Sequence, residues 1–126
     1  MAPAHSASPP VQFDTIVVGA GISGLVFAHA LLEAGQRVVV LEKSRGYGGR
    51  LATKRALDAV FDQGPPWFAV HDARASACLA PLLKSGVLRT WADGVIGWPR
   101  MNAVGAALAQ GLDVRLESLV VRASRV

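Results

Sequence analysis

The stretch Asp14-Thr15-Ile16-Val17-Val18-Gly19-Ala20-Gly21-Ile22-Ser23-Gly24-Leu25-Val26 decides the fold. Asp14 to Val18 ends in β-branched residues, which suits a short strand buried on both faces. Glycines stand at positions 19, 21 and 24, and from Ile22 the pattern turns helical. Ile22, Leu25 and Val26, His29 and Leu32 then share one face. Gly35 is placed to cap the end of that helix. Arg37 to Leu41 (RVVVL) reads as a second buried strand. Strand, helix and strand within about thirty residues make a βαβ unit.

Gly19-Ala20-Gly21-Ile22-Ser23-Gly24 has the pattern G-x-G-x-x-G, set between a strand and a helix, which is the context that gives it meaning. Gly19 permits the tight turn out of the strand. Gly21 lets a pyrophosphate approach the backbone, and Gly24 lets the helix pack close on the sheet. The first N–H groups of the helix have no internal partner and point at an anion over the turn. Ser23 reads as a first-turn polar residue near that anion. Glu42 ends the second strand, eighteen residues beyond Gly24. A carboxylate there accepts hydrogen bonds from ribose hydroxyls and repels a 2′-phosphate. The expected fold class is α/β, a Rossmann-like βαβ dinucleotide-binding domain with a parallel sheet.

Competing readings of the same residues fail on context. A kinase glycine loop joins two strands, whereas a helix follows here, and no H-R-D or D-F-G appears. Gly21-Ile22-Ser23-Gly24-Leu25 is not the G-x-S-x-G of a hydrolase nucleophile. His5, His29, His71 and Cys78 lack metal-ligand spacing, so no metal is expected. His29 lies on the apolar side of its helix and reads as structural. Thr15 to Leu32 holds no charged residue, yet its glycines and histidine favour a strand and a packed helix over a membrane span.

Beyond Leu41 the pattern is less regular. Ala59 to Asp62 suggests a short strand ended by Gly64-Pro65-Pro66. Asp72 is placed to cap a helix running toward Gly86, with Pro81 expected to kink or divide it. Val87 to Trp91 and Val95 to Trp98 suggest strands about a turn at Asp93-Gly94. Asn102 to Gln110 is Ala-rich and helical, closed by Gly111, and Asp113 to Leu116 and Leu119 to Val126 are strand-like. Met1 to Pro10 is rich in Ala, Ser and Pro and reads as a disordered leader, leaving residues 11–126 as one domain.

The chain has 126 residues, 52% hydrophobic and 17% charged, with a formal net charge of +4. Lys43, Arg45, Arg50, Lys54 and Arg55 cluster, but little aromatic interleaving accompanies them, which argues against nucleic acid. Cys78 is the only cysteine, so no intrachain disulfide is possible. Nothing resembles an export signal, and a cytoplasmic protein without a membrane partner is expected.

The run Glu42-Lys43-Ser44-Arg45-Gly46-Tyr47-Gly48-Gly49-Arg50-Leu51-Ala52-Thr53 resembles a segment of flavin-dependent amine oxidases, most closely the renalase-like branch of FAD oxidoreductases. The resemblance implies FAD as cofactor, with Gly48, Gly49 and Arg50 along its pyrophosphate and ribityl chain. Lys43 and Leu51 fall in the same segment and join the candidate cofactor-binding residues Gly19, Ala20, Gly21, Ile22, Ser23, Gly24, Glu42, Gly48, Gly49 and Arg50. Phe61-Asp62-Gln63-Gly64-Pro65-Pro66-Trp67-Phe68 resembles a segment near the flavin ring, with Asp62, Gly64 and Trp67 matching and the two prolines departing.

By resemblance the substrate is an amine or a reduced nicotinamide. No side chain presents itself as a general base, so no catalytic residue is assigned. The family's substrate-binding sheet has no counterpart here, so the chain is expected to be its N-terminal nucleotide-binding portion, truncated. Two other readings stay open: a non-catalytic nucleotide-binding remnant and an NAD-binding module.

Overall fold

Val38, Val39 and Val40 are all buried, and they form the centre of a three-stranded parallel sheet. The computed structural model describes residues 12–124, so the expected leader, Met1 to Pro10, lies outside the described residues. Strand β1 (Thr15–Val18) leads to helix α1 (Ile22–Glu33) and then to β2 (Val38–Leu41). β1 pairs with β2 in parallel, with Thr15 opposite Val38 and Val18 opposite Leu41. That is the βαβ unit read from the sequence. The third strand comes from far along the chain.

A one-turn 3-10 helix (Gly49–Leu51) precedes a hairpin of β3 (Thr53–Ala56) and β4 (Ala59–Asp62). Helix α2 (Ala73–Ser85) follows, then a second hairpin, β5 (Leu88–Trp91) and β6 (Gly94–Gly97). Helix α3 (Asn102–Ala109) and β7 (Asp113–Arg115) complete the order. β7 lies parallel to β2, with Val39 opposite Asp113, so the sheet order is β1-β2-β7.

The core fills the space between one face of this sheet and the helices. Leu25 and Ala28 of α1, Val17, Val38 and Val40 of the sheet, and Val104 and Leu108 of α3 share one cluster. Burying a side chain such as Leu25 contributes about 1.5–3 kcal/mol. Asp72 caps α2 as expected, accepting the amides of Arg74 (2.9 Å) and Ala75 (3.0 Å).

Several expectations need correction. β1 is not buried on both faces: Ile16 is 57% and Val18 65% exposed, because β1 is an edge strand whose outer face carries no second layer. On α1 Leu25 is buried, and Ile22 and Val26 pack on the core as expected, but Ala28 and Leu31 join them while Leu32 is 43% exposed. α1 is apolar around most of its circumference, so periodicity left its rotation open. Pro81 does not divide α2, which runs unbroken from Ala73 to Ser85. Pro81 and Ala77 are both exposed, so the carbonyl that the proline leaves without a donor lies on an exposed part of the helix.

The turn between β5 and β6 is at Ala92-Asp93, and Gly94 belongs to the strand. β3 carries no sequence signal of its own and was not expected. Leu119 to Val126 does not form a strand over its described residues, and Arg125 and Val126 lie outside them. The chain before it is drawn aside. The Glu117 amide donates to the Ser44 carbonyl (3.0 Å) and the Ser118 amide to the Glu42 carbonyl (2.8 Å). Those bonds carry the tail across the end of β2.

Candidate functional site

The two glycine segments meet. The Gly48 amide donates to the Ala20 carbonyl at 2.8 Å, and a Cβ on Gly49 would lie 3.2 Å from Gly21 Cα. Gly19 has φ +100° and Gly48 φ +109°, conformations that side chains resist, so both turns depend on glycine. Between the segments lies a cleft of about 610 Å³. Gly19, Gly21, Ile22, Ser23 and Gly24 line one side, and Gly48, Gly49, Arg50 and Leu51 the other. Pro65 and Phe68 add to its wall.

The cleft has the physical character of an anion site. Gly21 is the N-cap of α1 and supplies no side-chain cap, and the first turn holds no acid. The first intrahelical bond runs from Leu25 to Gly21, which leaves the amides of Ile22, Ser23 and Gly24 without helical acceptors. The helix dipole favours an anion there by about 0.3–1 kcal/mol. Arg50 is exposed on the same cleft and forms no ion pair among the described residues. A Cβ on Gly21 would meet nothing within 4 Å, so its absence keeps the cleft open rather than relieving a clash. On Gly24 a Cβ would run into the Gly19 carbonyl oxygen, so that glycine serves the packing of α1 on the turn.

Glu42 follows the last residue of β2 and is 7% exposed. Its Oε2 accepts the Ala20 amide at 2.7 Å. Its Oε1 accepts the Ser44 amide and the Ser44 hydroxyl, each at 2.8 Å. Burial pushes this carboxyl up, but the amides of Ala20 and Ser44, the Ser44 hydroxyl and the charge of Lys43 outweigh it and hold it below its ordinary value. An ionised carboxylate has about four acceptor positions. Three are used by these donors, so one remains, on Oε2.

Glu42 and Lys43 line a second, smaller cavity of about 240 Å³, together with Leu41. Val18 and Gly19 belong to both cavities, so the two adjoin at the tip of β1. Ser118, Leu119 and Val120 form the far wall of the smaller one. Sequence reasoning missed them, and also missed Ser44. No local signal marks the tail, since it reaches the site only because β7 lies beside β2.

The remaining candidates divide by backbone and side chain. The Ala20 side chain is fully buried, so that residue reaches the site through its main chain alone. Leu51 is 8% exposed and supports the loop from the core. His29 bonds the Leu108 carbonyl through Nε2 at 2.7 Å, a structural tie between α1 and α3. Asp62 accepts the Thr53 hydroxyl at 2.7 Å and the Met101 amide at 3.3 Å. A Cβ on Gly64 would collide with the Arg50 carbonyl oxygen. Trp67 sits tilted against Trp91 at 6.4 Å between ring centroids. No helix among the described residues is long and apolar enough to cross a membrane.

A family model described as an NAD(P)-binding Rossmann-like domain matches residues 17–83, more than half of the chain. Polyamine oxidase 5 of Oryza sativa subsp. japonica is 37% identical over 87 residues, covering 69% of this chain and 17% of that protein. A solved structure of wild-type putrescine oxidase bound to putrescine aligns at 37% identity and a TM-score of 0.50, over 66% of this chain and 18% of its own. Oxidised steroid monooxygenase bound to NADP aligns at 26% identity and a TM-score of 0.53, over 83% of this chain and 19% of its own. The chain thus spans less than a fifth of the length of these relatives.

Proposed function

The chain belongs to the NAD(P)-binding Rossmann-like domain family, and from that premise we propose that it is the FAD-binding portion of an FAD-dependent oxidoreductase of the amine oxidase kind. One observation carries the reading. The uncapped N-terminus of α1 faces the Gly48-Gly49-Arg50 turn across a cleft of about 610 Å³, and Glu42 stands at the neighbouring strand end.

In this reading the pyrophosphate lies between the amides of Ile22, Ser23 and Gly24 and the guanidinium of Arg50, which offers paired donors to phosphate. The remaining acceptor position of Glu42 takes a ribose hydroxyl. Its negative charge disfavours a 2′-phosphate, which favours FAD over NADP at this site. Lys43 and the tail residues Leu119 and Val120 border the adenosine side. Bound flavin would supply the hydride-accepting ring, and the residues of this chain bind and orient the nucleotide. The substrate would be an amine or a reduced nicotinamide.

The segment from Glu42 to Thr53 supports placement in the renalase-like branch. Residues 11–126 are read as one nucleotide-binding domain, and the lone Cys78 fits a cytoplasmic setting. Ligand sites bury most of their ligand. With the outer face of β1 open, a nucleotide here keeps one side in solvent, so affinity should fall below that of the longer relatives.

The test is titration of the purified chain with FAD, followed by calorimetry and visible absorbance. Saturable binding, weaker than in a full-length polyamine oxidase and abolished by Gly21→Val, is the expected result. A chain that neither binds FAD nor gains thermal stability from it overturns the reading and favours a remnant without cofactor.

A further inference from the structure

Gly105 is buried in the middle of α3 and touches neither cavity. A Cβ at this position would lie 2.7 Å from both Gly48 Cα and Gly48 N, and 3.0 Å from the Tyr47 carbonyl carbon. All three are backbone atoms, which cannot swing aside as a side chain can. Gly48 is held on its other side as well, by its 2.8 Å hydrogen bond to the Ala20 carbonyl. The second glycine turn is therefore pressed between α3 and the first glycine turn.

α3 itself is fixed at both ends. At its start Asp62 accepts the Met101 amide (3.3 Å), and near its end the Leu108 carbonyl is bonded by His29 of α1 (2.7 Å). Val104 and Leu108 anchor it in the core. A helix clamped in this way transmits its position to whatever its surface meets, because packed interiors do not deform continuously.

We propose that α3 is a strut that sets the width of the phosphate cleft, and that Gly105 is the positioning residue through which it does so. This rests on the reading of the cleft as the pyrophosphate site. A methyl at Gly105 displaces Gly48 toward Ala20 and Gly21, which carries Gly49 and Arg50 with it and misaligns the donors on that side. Adenosine contacts at Glu42, Lys43 and the tail belong to the smaller cavity, which Gly48 and Arg50 do not border, and are affected less.

The experiment compares Gly105→Ala with Leu82→Ala, a buried position on α2 that lines neither the cleft nor the smaller cavity. Dissociation constants for ADP and AMP are measured well below the melting temperature of each variant. Gly105→Ala should weaken ADP by about tenfold, the loss of one charge-assisted hydrogen bond, and leave AMP nearly unchanged. Leu82→Ala should lower the melting temperature and leave the ADP-to-AMP ratio at its wild-type value. Equal weakening of both nucleotides by Gly105→Ala, or none, overturns the proposal.

Amide hydrogen exchange without ligand separates this from the functional reading. Gly105→Ala should lower protection of the Gly48 amide selectively, relative to the amides of β2. Unchanged Gly48 protection overturns the strut even if FAD binds. A wild-type chain that binds no nucleotide overturns the functional reading, while the exchange result still decides the strut. Should Gly105→Ala not fold, wild-type protein serves: ADP must raise protection of α3 amides more than AMP does, by linkage, and equal protection overturns the proposal.

Discussion

The carboxylate of Glu42 accepts the backbone amide of Ala20 at 2.7 Å, so the acid at the end of β2 closes the glycine turn at the end of β1. With Ser44 also bonded to it, Glu42 ties the end of β2 to the glycine turn and to the loop that follows. Glu42→Gln turns an amide group toward one of these donors and should destabilise the fold by about 2–3 kcal/mol. A lower urea midpoint at unchanged m-value is the check.

The same group sets a pH dependence. Burial raises the Glu42 carboxyl, but its hydrogen bonds and Lys43 lower it further, to below its ordinary value. Its stabilisation is therefore complete above the unfolded-state value, about 4.3. It is lost as pH falls through the lower folded-state value. Urea midpoints between pH 7 and pH 2.5 should fall less steeply in Glu42→Gln than in wild type. Parallel curves would show that Glu42 titrates as it does in the unfolded chain.

Asp14 provides a contrasting case at the surface. Hydrogen bonds from the Arg37 side chain and then its amide hold this carboxyl down to about 2. Its contribution is present above the unfolded-state value and is lost as pH falls through about 2. The pair is solvent-exposed and screened by salt. Arg37→Gln should return the Asp14 titration, followed by NMR, toward the ordinary carboxylate range, with little change in the urea midpoint at 1 M salt.

Gly21 and Gly24 should respond in opposite ways. Gly21 has φ −77°, and a Cβ there meets open space, so Gly21→Val should fold, losing no more than about 1 kcal/mol for the poorer N-cap, and lose FAD binding. Gly24→Ala drives a methyl into the Gly19 carbonyl and should cost about 1–3 kcal/mol. Thermal melts with and without FAD distinguish the two. A Gly21→Val protein that binds FAD normally would place the site elsewhere.

The outer face of β1 should govern self-association. Ile16 is 57% exposed on an edge strand, a surface that invites pairing with another chain. Ile16→Lys should shift concentrated samples toward monomer in analytical ultracentrifugation and leave the melting temperature nearly unchanged. A large fall in melting temperature would mean that this face is buried in solution.

The βαβ unit, the glycine turn and the acid at position 42 were legible in the sequence because they are local. A β-branched run, glycines at fixed offsets and a helical period all act within about thirty residues. The cap at Asp72, and a helix running from it toward Gly86, were legible for the same reason. What the sequence could not decide depends on contacts between distant segments. The rotation of α1 was set by the sheet it met, and the exposure of Ile16 and Val18 by the place of β1 at the sheet edge. The tail became a wall of the smaller cavity because β7 lies beside β2. Gly105 gained its importance only when α3 was laid against Gly48. Sequence periodicity records which residues prefer to be buried, but packing alone determines what buries them.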